Sequence, residues 1–132
     1  MKVLVDTSAW VEFLNGTRSQ EALAVDRLLA GEDDVCTCGV VVAEVFQGIR
    51  REREALEGFF RKMTLLEAAG LTTYLKAAGL YRSLRRRGVT VRSTIDCLIA
   101  VLAEEHGCAL LFRDRDLRLV VSSGLLSLPA WP

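Results

Sequence analysis

The sequence predicts an α/β fold on a parallel sheet. Short apolar runs alternate with amphipathic stretches of helical period, the pattern of strands joined by crossover helices. Two of the predicted strands end directly at an aspartate, Asp6 and Asp114. In such sheets the ligand crevice lies beyond the carboxyl ends of the strands, so both acids should face it. There are no repeats, linkers or low-complexity segments, and 132 residues are enough for one core, so a single domain over 1–132 is expected.

Val3, Leu4 and Val5 form a short buried strand that ends at Asp6, Thr7 and Ser8 and feeds a helix carrying Trp10, Phe13 and Leu14 at helical spacing. The spacing of Ala22, Val25, Leu28 and Leu29 predicts a helix over 19–30, closed by Gly31. A second strand is expected at 35–37. The stretch 40–49 is ambiguous, because three valines favour a strand while Glu44, Phe46 and Gln47 break the alternation. Leu56, Phe59, Phe60 and Met63 predict a helix over 51–63, followed by a third strand at 64–66. The longest helix is expected over 71–87, with Leu71, Tyr74, Leu75, Ala78, Tyr81 and Leu84 on one stripe and Gly88 as its stop. A further helix over 93–106 has Ile95, Leu98, Ile99 and Leu102 as its core face and ends at Gly107. A strand at 109–112 follows. Beyond Leu117 the pattern is weak, and one turn of helix and an edge strand are expected.

Composition narrows the function classes. Half of the chain is hydrophobic and about a quarter charged (51% and 26%), which is ordinary for a globular protein. No apolar run reaches the roughly 18 residues of a membrane span. The first six residues reach an acid before a signal-peptide core could form, so a cytoplasmic protein is expected. Cys36, Cys38, Cys97 and Cys108 are too scattered for a disulfide framework. Cys36 and Cys38 would make half a zinc site, but no second close pair exists, and buried free thiols are the better expectation. The net charge is zero, yet no acid lies between Glu67 and Asp96, where Lys76, Arg82, Arg85, Arg86, Arg87 and Arg92 form a basic strip. The strip reads either as a helix end matched to its dipole or as a surface for RNA phosphates.

The acids carry the chemistry. Asp6 has the place of a helix N-cap, although Thr7 or Ser8 can cap as well and leave it free. Glu44 lies among Val42, Ala43, Val45 and Phe46, where a carboxylate is costly unless it is paired, exposed or bound to metal; Arg50 and Arg51 are candidate partners. Asp96 closes a Ser93-x-x-Asp96 capping pattern before a helix apolar nearly all round, which should bury that helix start. Asp114 and Asp116 read as a turn or as a ligand pair. Gathered in one crevice, such carboxylates repel and raise one another's pKa, a conflict that divalent cations remove. All-oxygen ligation suits Mg²⁺ or Mn²⁺, a single histidine argues against zinc chemistry, and the predicted reaction is phosphodiester hydrolysis.

Four segments resemble the motifs of PIN-domain ribonucleases of the VapC toxin type. They are Val5-Asp6-Thr7-Ser8-Ala9-Trp10, Val42-Ala43-Glu44-Val45-Phe46-Gln47-Gly48, Gly88 through Ala100 with Val91-Arg92-Ser93-Thr94-Ile95-Asp96 inside it, and Leu110 through Leu117. The third is the most specific, and the order runs through nearly the whole chain. The resemblance implies an α/β/α sandwich with a mostly parallel central sheet of four to five strands, and a helix around Glu44. It implies a metal-dependent endoribonuclease in which Asp6, Glu44, Asp96 and Asp114 bind Mg²⁺ or Mn²⁺, with Asp116 as an accessory ligand. It also implies a tRNA or ribosomal RNA loop as substrate, a cognate VapB-type antitoxin and a homodimer. The resemblance adds weight to RNA binding by Arg82, Arg85, Arg86, Arg87 and Arg92. Phe112 departs from the polar residue of many relatives, so a hydrogen bond near Asp114 is expected to be missing; Leu117 replaces a frequent Phe and should affect packing only.

Two rivals differ in kind. A receiver-like phosphoacceptor domain needs paired acids after the first strand and a late lysine, whereas Asp6 stands alone and no lysine follows Lys76. A catalytically lapsed PIN-fold binding module would have lost acids, whereas all four positions are filled.

Overall fold

The computed structural model describes residues 1–131. Four short strands, β1 (Lys2–Val5), β2 (Asp34–Cys38), β3 (Thr64–Leu66) and β4 (Ala109–Leu111), form one parallel sheet in the order β3-β2-β1-β4. Val3, Leu4 and Val5 are fully buried, which fits a central strand covered on both faces. The helices are α1 (Thr7–Leu14), α2 (Gln20–Ala30), α3 (Gly39–Gln47), α4 (Arg53–Phe60), α5 (Leu71–Arg86), α6 (Thr94–Glu105) and α7 (Arg115–Ser122).

Chain direction sets the site. From β1 the connections step outward through β2 to β3, then return across the sheet to β4. Right-handed crossovers running in opposite directions put their helices on opposite faces. Accordingly α1 packs on α2 and α3, while α6 packs on α5 and α7. The switch point falls between β1 and β4, the two strands that end at Asp6 and near Asp114.

One core cluster surrounds the sheet, where Trp10 stacks against Phe60 at 4.8 Å and Phe60 meets Phe46 edge-on at 5.2 Å. A second joins α5, α6 and α7 through Ala77, Leu84, Cys97, Val101 and Val120. Gly88 (φ +76°) and Gly107 (φ +66°) end α5 and α6 in the left-handed region, as stop signals should.

Several expectations change. The stretch 40–49, ambiguous by its period alone, is helix α3, as the resemblance implied. The segment expected as helix over 51–63 forms one only over Arg53–Phe60. The expected stripe of α5 holds only at its C-terminal end, where Leu84 is buried and Tyr81 packs on the core; Leu71, Tyr74 and Leu75 are 73%, 53% and 60% exposed, and Thr73, Ala77 and Leu80 face inward instead. The choice turns on small residues. Ala77 lets α5 approach α6 closely, and Thr73 is buried because its hydroxyl accepts from the Ala69 amide and donates to Glu105. On α6, Ile95 is likewise exposed. The tail forms the two-turn helix α7, and among the described residues no edge strand follows it. All four cysteines are buried free thiols; burial pushes Cys36 up to about 12 and Cys97 to about 11.

Candidate active site

Asp6 stands where β1 ends, and its amide still donates to the Leu111 carbonyl of β4 at 2.9 Å. Its carboxylate caps α1: Oδ2 accepts from the Ser8 amide at 3.0 Å and from the Ser8 hydroxyl at 2.6 Å. Of the two readings open for this junction, Asp6 is itself the N-cap, and neither Thr7 nor Ser8 takes that place. Extended backbone at position 6 aims its own side chain at the first turn, and Ser8 supports it. Burial raises the Asp6 pKa, the Ser8 bonds oppose this, and Asp114 and Glu44 add repulsion.

Glu44 lies on α3 and is solvent-exposed, which is how the chain avoids burying a charge among apolar neighbours. Among the described residues it forms no ion pair with Arg50 or Arg51. Its Oε1 instead accepts from the Thr7 hydroxyl at 2.9 Å, which ties α3 to the start of α1.

Asp96 sits in the first turn of α6. Ser93 is the N-cap, as expected, accepting from the Ile95 amide at 3.0 Å; among the described residues Asp96 makes no return bond to Ser93. The start of α6 is more open than its apolar composition suggested, with Thr94 and Ile95 exposed and Asp96 half-buried. Desolvation, then repulsion from Asp114, Asp6, Asp116 and Glu44, pushes Asp96 up to about 7.

Asp114 caps α7, accepting from the Leu117 amide at 2.9 Å. Phe112 beside it supplies no hydrogen bond, and Arg118 lies over its ring at 5.8 Å. Leu117 is fully buried, a packing residue. Asp116 is not the solvated neighbour of a turn: it is buried, and its Oδ2 accepts from both the backbone amide and Nε of Arg92 at 3.0 Å. These bonds hold its carboxyl below the usual range.

The sheet thus brings Asp6, Glu44, Asp96 and Asp114 within electrostatic reach of one another at the switch point. Among the described residues, however, no three Asp, Glu, His or Cys side chains converge closely enough to chelate one ion. Each of Asp6, Glu44 and Asp114 turns an oxygen to a local donor, the arrangement expected of like charges that repel.

Of the basic strip, Arg82, Arg85, Arg86 and Arg87 are exposed along the C-terminal half of α5 and just past its end. Arg87 also ties to the Ser123 carbonyl. Sequence reasoning missed Arg113, whose guanidinium bridges Glu12 at 3.5 Å and Glu21 at 3.3 Å and so pins the β4–α7 loop to α1 and α2. Nothing in local spacing signals a pairing across more than 90 residues.

Comparison with known proteins identifies the family. Residues 3–121 match the PIN domain family. A VapC ribonuclease of Mycobacterium bovis and ribonuclease VapC11 of Mycobacterium tuberculosis are each 38% identical over 121 residues, spanning 89% of this chain and 90% of theirs. In fold the chain is similar to VapBC2 from Rickettsia felis, solved bound to a DNA fragment from its promoter, with a TM-score of 0.69, 19% identity and full coverage of both chains. The chain belongs to the PIN-domain family and, within it, to the VapC group.

Proposed function

We propose that this protein is a divalent-metal-dependent endoribonuclease that hydrolyses RNA phosphodiester bonds at the crevice between β1 and β4, acting as the toxin of a toxin–antitoxin pair. The observation that carries the reading is that Asp96 is pushed up to about 7 by burial and by repulsion from Asp114, Asp6, Asp116 and Glu44, which supports one shared acidic crevice. The relatives' names, VapC ribonucleases, support the same chemistry.

The donor set fits Mg²⁺ or Mn²⁺. It is all carboxylate oxygen, the cysteines are buried with thiols held protonated, and His106 bonds the Glu67 carbonyl at 2.9 Å. Asp6, Glu44, Asp96 and Asp114 would hold the ion, which supplies charge stabilisation at phosphorus and acidifies water. The protein's own part is to fix the acids. Ser8 orients Asp6, Thr7 orients Glu44 and the α7 amide of Leu117 orients Asp114. Asp96, without such a donor, is the acid whose charge the ion would do most to stabilise. Arg82, Arg85, Arg86 and Arg87 would position backbone phosphates of a structured RNA such as a tRNA or ribosomal loop.

A VapB-type antitoxin is the inferred partner, in line with the VapBC complexes among the fold's neighbours. A second copy of the chain is the inferred occupant of the exposed apolar face of α5, around Leu71, Tyr74 and Leu75. Among the described residues no helix is long and apolar enough to cross a membrane.

The test is cleavage of total RNA in Mn²⁺, with the ends mapped, beside Asp96→Asn and an EDTA control. Wild-type protein is expected to cut at a small set of sites and both controls to be silent. Cleavage that survives EDTA would sink the metal, and RNA that is retained uncut would make the protein a binding module.

A further inference from the structure

Asp116 stands two residues past Asp114, where an accessory metal ligand was expected, but its surroundings give it other work. Its side chain is 3% exposed, and its Oδ2 accepts two hydrogen bonds from one residue, Arg92. Arg92 lies in the loop between α5 and α6, anchored by buried Val91 on one side and by the α6 cap Ser93 on the other. Its side chain is 77% exposed. Its guanidinium is stabilised by Asp116 first, then by Asp114 and Asp96, which puts it at the rim of the acidic crevice.

An arginine has five N–H donors in a rigid plane. Asp116 takes the one on Nε. Among the described residues the two terminal nitrogens make no hydrogen bond, and together they form the edge that matches two oxygens of a phosphate. A guanidinium already fastened at Nε loses less freedom when it binds than a free one.

We propose that Asp116 is a positioning residue and not a metal ligand: it locks Arg92 as a phosphate fork that receives the RNA strand beside Asp96 and Asp114. The inference rests on the ribonuclease reading, and its test separates the two. The full chain is titrated in EDTA into a short, fluorescein-labelled, mixed-sequence single-stranded RNA at several salt concentrations, and anisotropy is read. Arg92→Gln is expected to weaken binding roughly tenfold and to flatten the slope of log K against log salt by about 0.7. Asp116→Ala keeps the charge but frees it, so affinity falls several-fold while the slope stays, and the double variant is no worse than Arg92→Gln alone. Asp116→Asn keeps an acceptor of the same shape and restores most of the affinity. In parallel, the rise in melting temperature on adding Mn²⁺ is kept by Asp116→Ala.

Loss of that Mn²⁺ shift in Asp116→Ala makes Asp116 a ligand and overturns the proposal. So does unchanged binding by both Arg92→Gln and Asp116→Ala. If Asp116→Ala does not fold, exposed Arg92→Gln and isosteric Asp116→Asn carry the same comparison. Wild-type protein that neither binds this RNA nor cuts it in Mn²⁺ overturns the ribonuclease reading itself, whereas wild-type binding with silent variants overturns the fork alone.

Discussion

The Ser8 hydroxyl donates to the Asp6 carboxylate at 2.6 Å and in turn accepts from the Arg113 amide at 2.8 Å. One oxygen therefore fastens the acid at the end of β1 to the loop that presents Asp114. The Ser8 amide holds Asp6 independently at 3.0 Å.

Ser8→Ala removes the bridge and spares the amide bond. Stability should fall by about 1–2 kcal/mol, the worth of hydrogen bonds to a charged acceptor in a partly buried site. Turnover on RNA should fall on the order of tenfold through misplacement of the two acids, with KM little changed. Urea melts and steady-state cleavage read both. An unchanged kcat would show that the Ser8 amide alone is enough to orient Asp6.

Asp96 makes stability depend on pH in a definite direction. Its folded pKa, about 7, lies above the ordinary value of 3.8. Between those values the folded protein holds a proton that the unfolded chain has lost, so metal-free stability falls as pH climbs from 4 to 7 and stays low above 7. Asp96→Asn removes this slope. At pH 8 in EDTA the variant should melt a few degrees above wild type, although it cuts no RNA. Mn²⁺ should raise the wild-type melting temperature at pH 8 and leave Asp96→Asn nearly unmoved. A variant less stable than wild type at pH 8 would mean that Asp96 is not strained by its neighbours.

Replacing Arg85, Arg86 and Arg87 by Gln tests the basic strip. Each side chain that touches a phosphate contributes about 0.7 to the salt slope on single-stranded RNA. The triple variant should therefore bind more weakly and with a visibly flatter slope. A slope equal to wild type would return the strip to its other role, a basic helix end facing solvent.

Leu71 and Leu75 test the second copy. Both are more than half exposed and lie outside the core clusters of the described residues. Changing both to Glu should turn a dimer into a monomer by light scattering, with the melting curve of the monomer preserved because neither side chain is in the core. A wild-type monomer at micromolar concentration would refute the pairing.

Much of the fold was legible because strands and helices here obey their periods. Val3 to Val5 and Ala109 to Leu111 are short and wholly apolar, and the acids just past them mark the strand ends. What the sequence hid depended on tertiary partners. Residues 40–49 carry three valines, so their period alone left strand and helix open; as a helix the segment packs Val41 and Val45 into the sheet core. On α5 the larger side chains point outward and Thr73 inward, because Glu105 on α6 offers Thr73 a partner. Apolar periodicity cannot see that. At the site, the four acids could be named from motifs, whereas the partner of each is remote or ambiguous. Asp116 looked like a neighbour of Asp114, and its meaning comes from Arg92, which lies on another element.

The strand order has a consequence for synthesis. Asp6 follows β1 and Asp114 follows β4, strands that lie far apart in the chain yet side by side in the sheet. A chain still threading through the ribosome has β1, β2 and β3 to assemble but lacks the wall that β4 provides. The crevice therefore closes only after β4 has emerged, over 100 residues behind β1, so the wall that carries Asp114 is the last part of the sheet to be set in place.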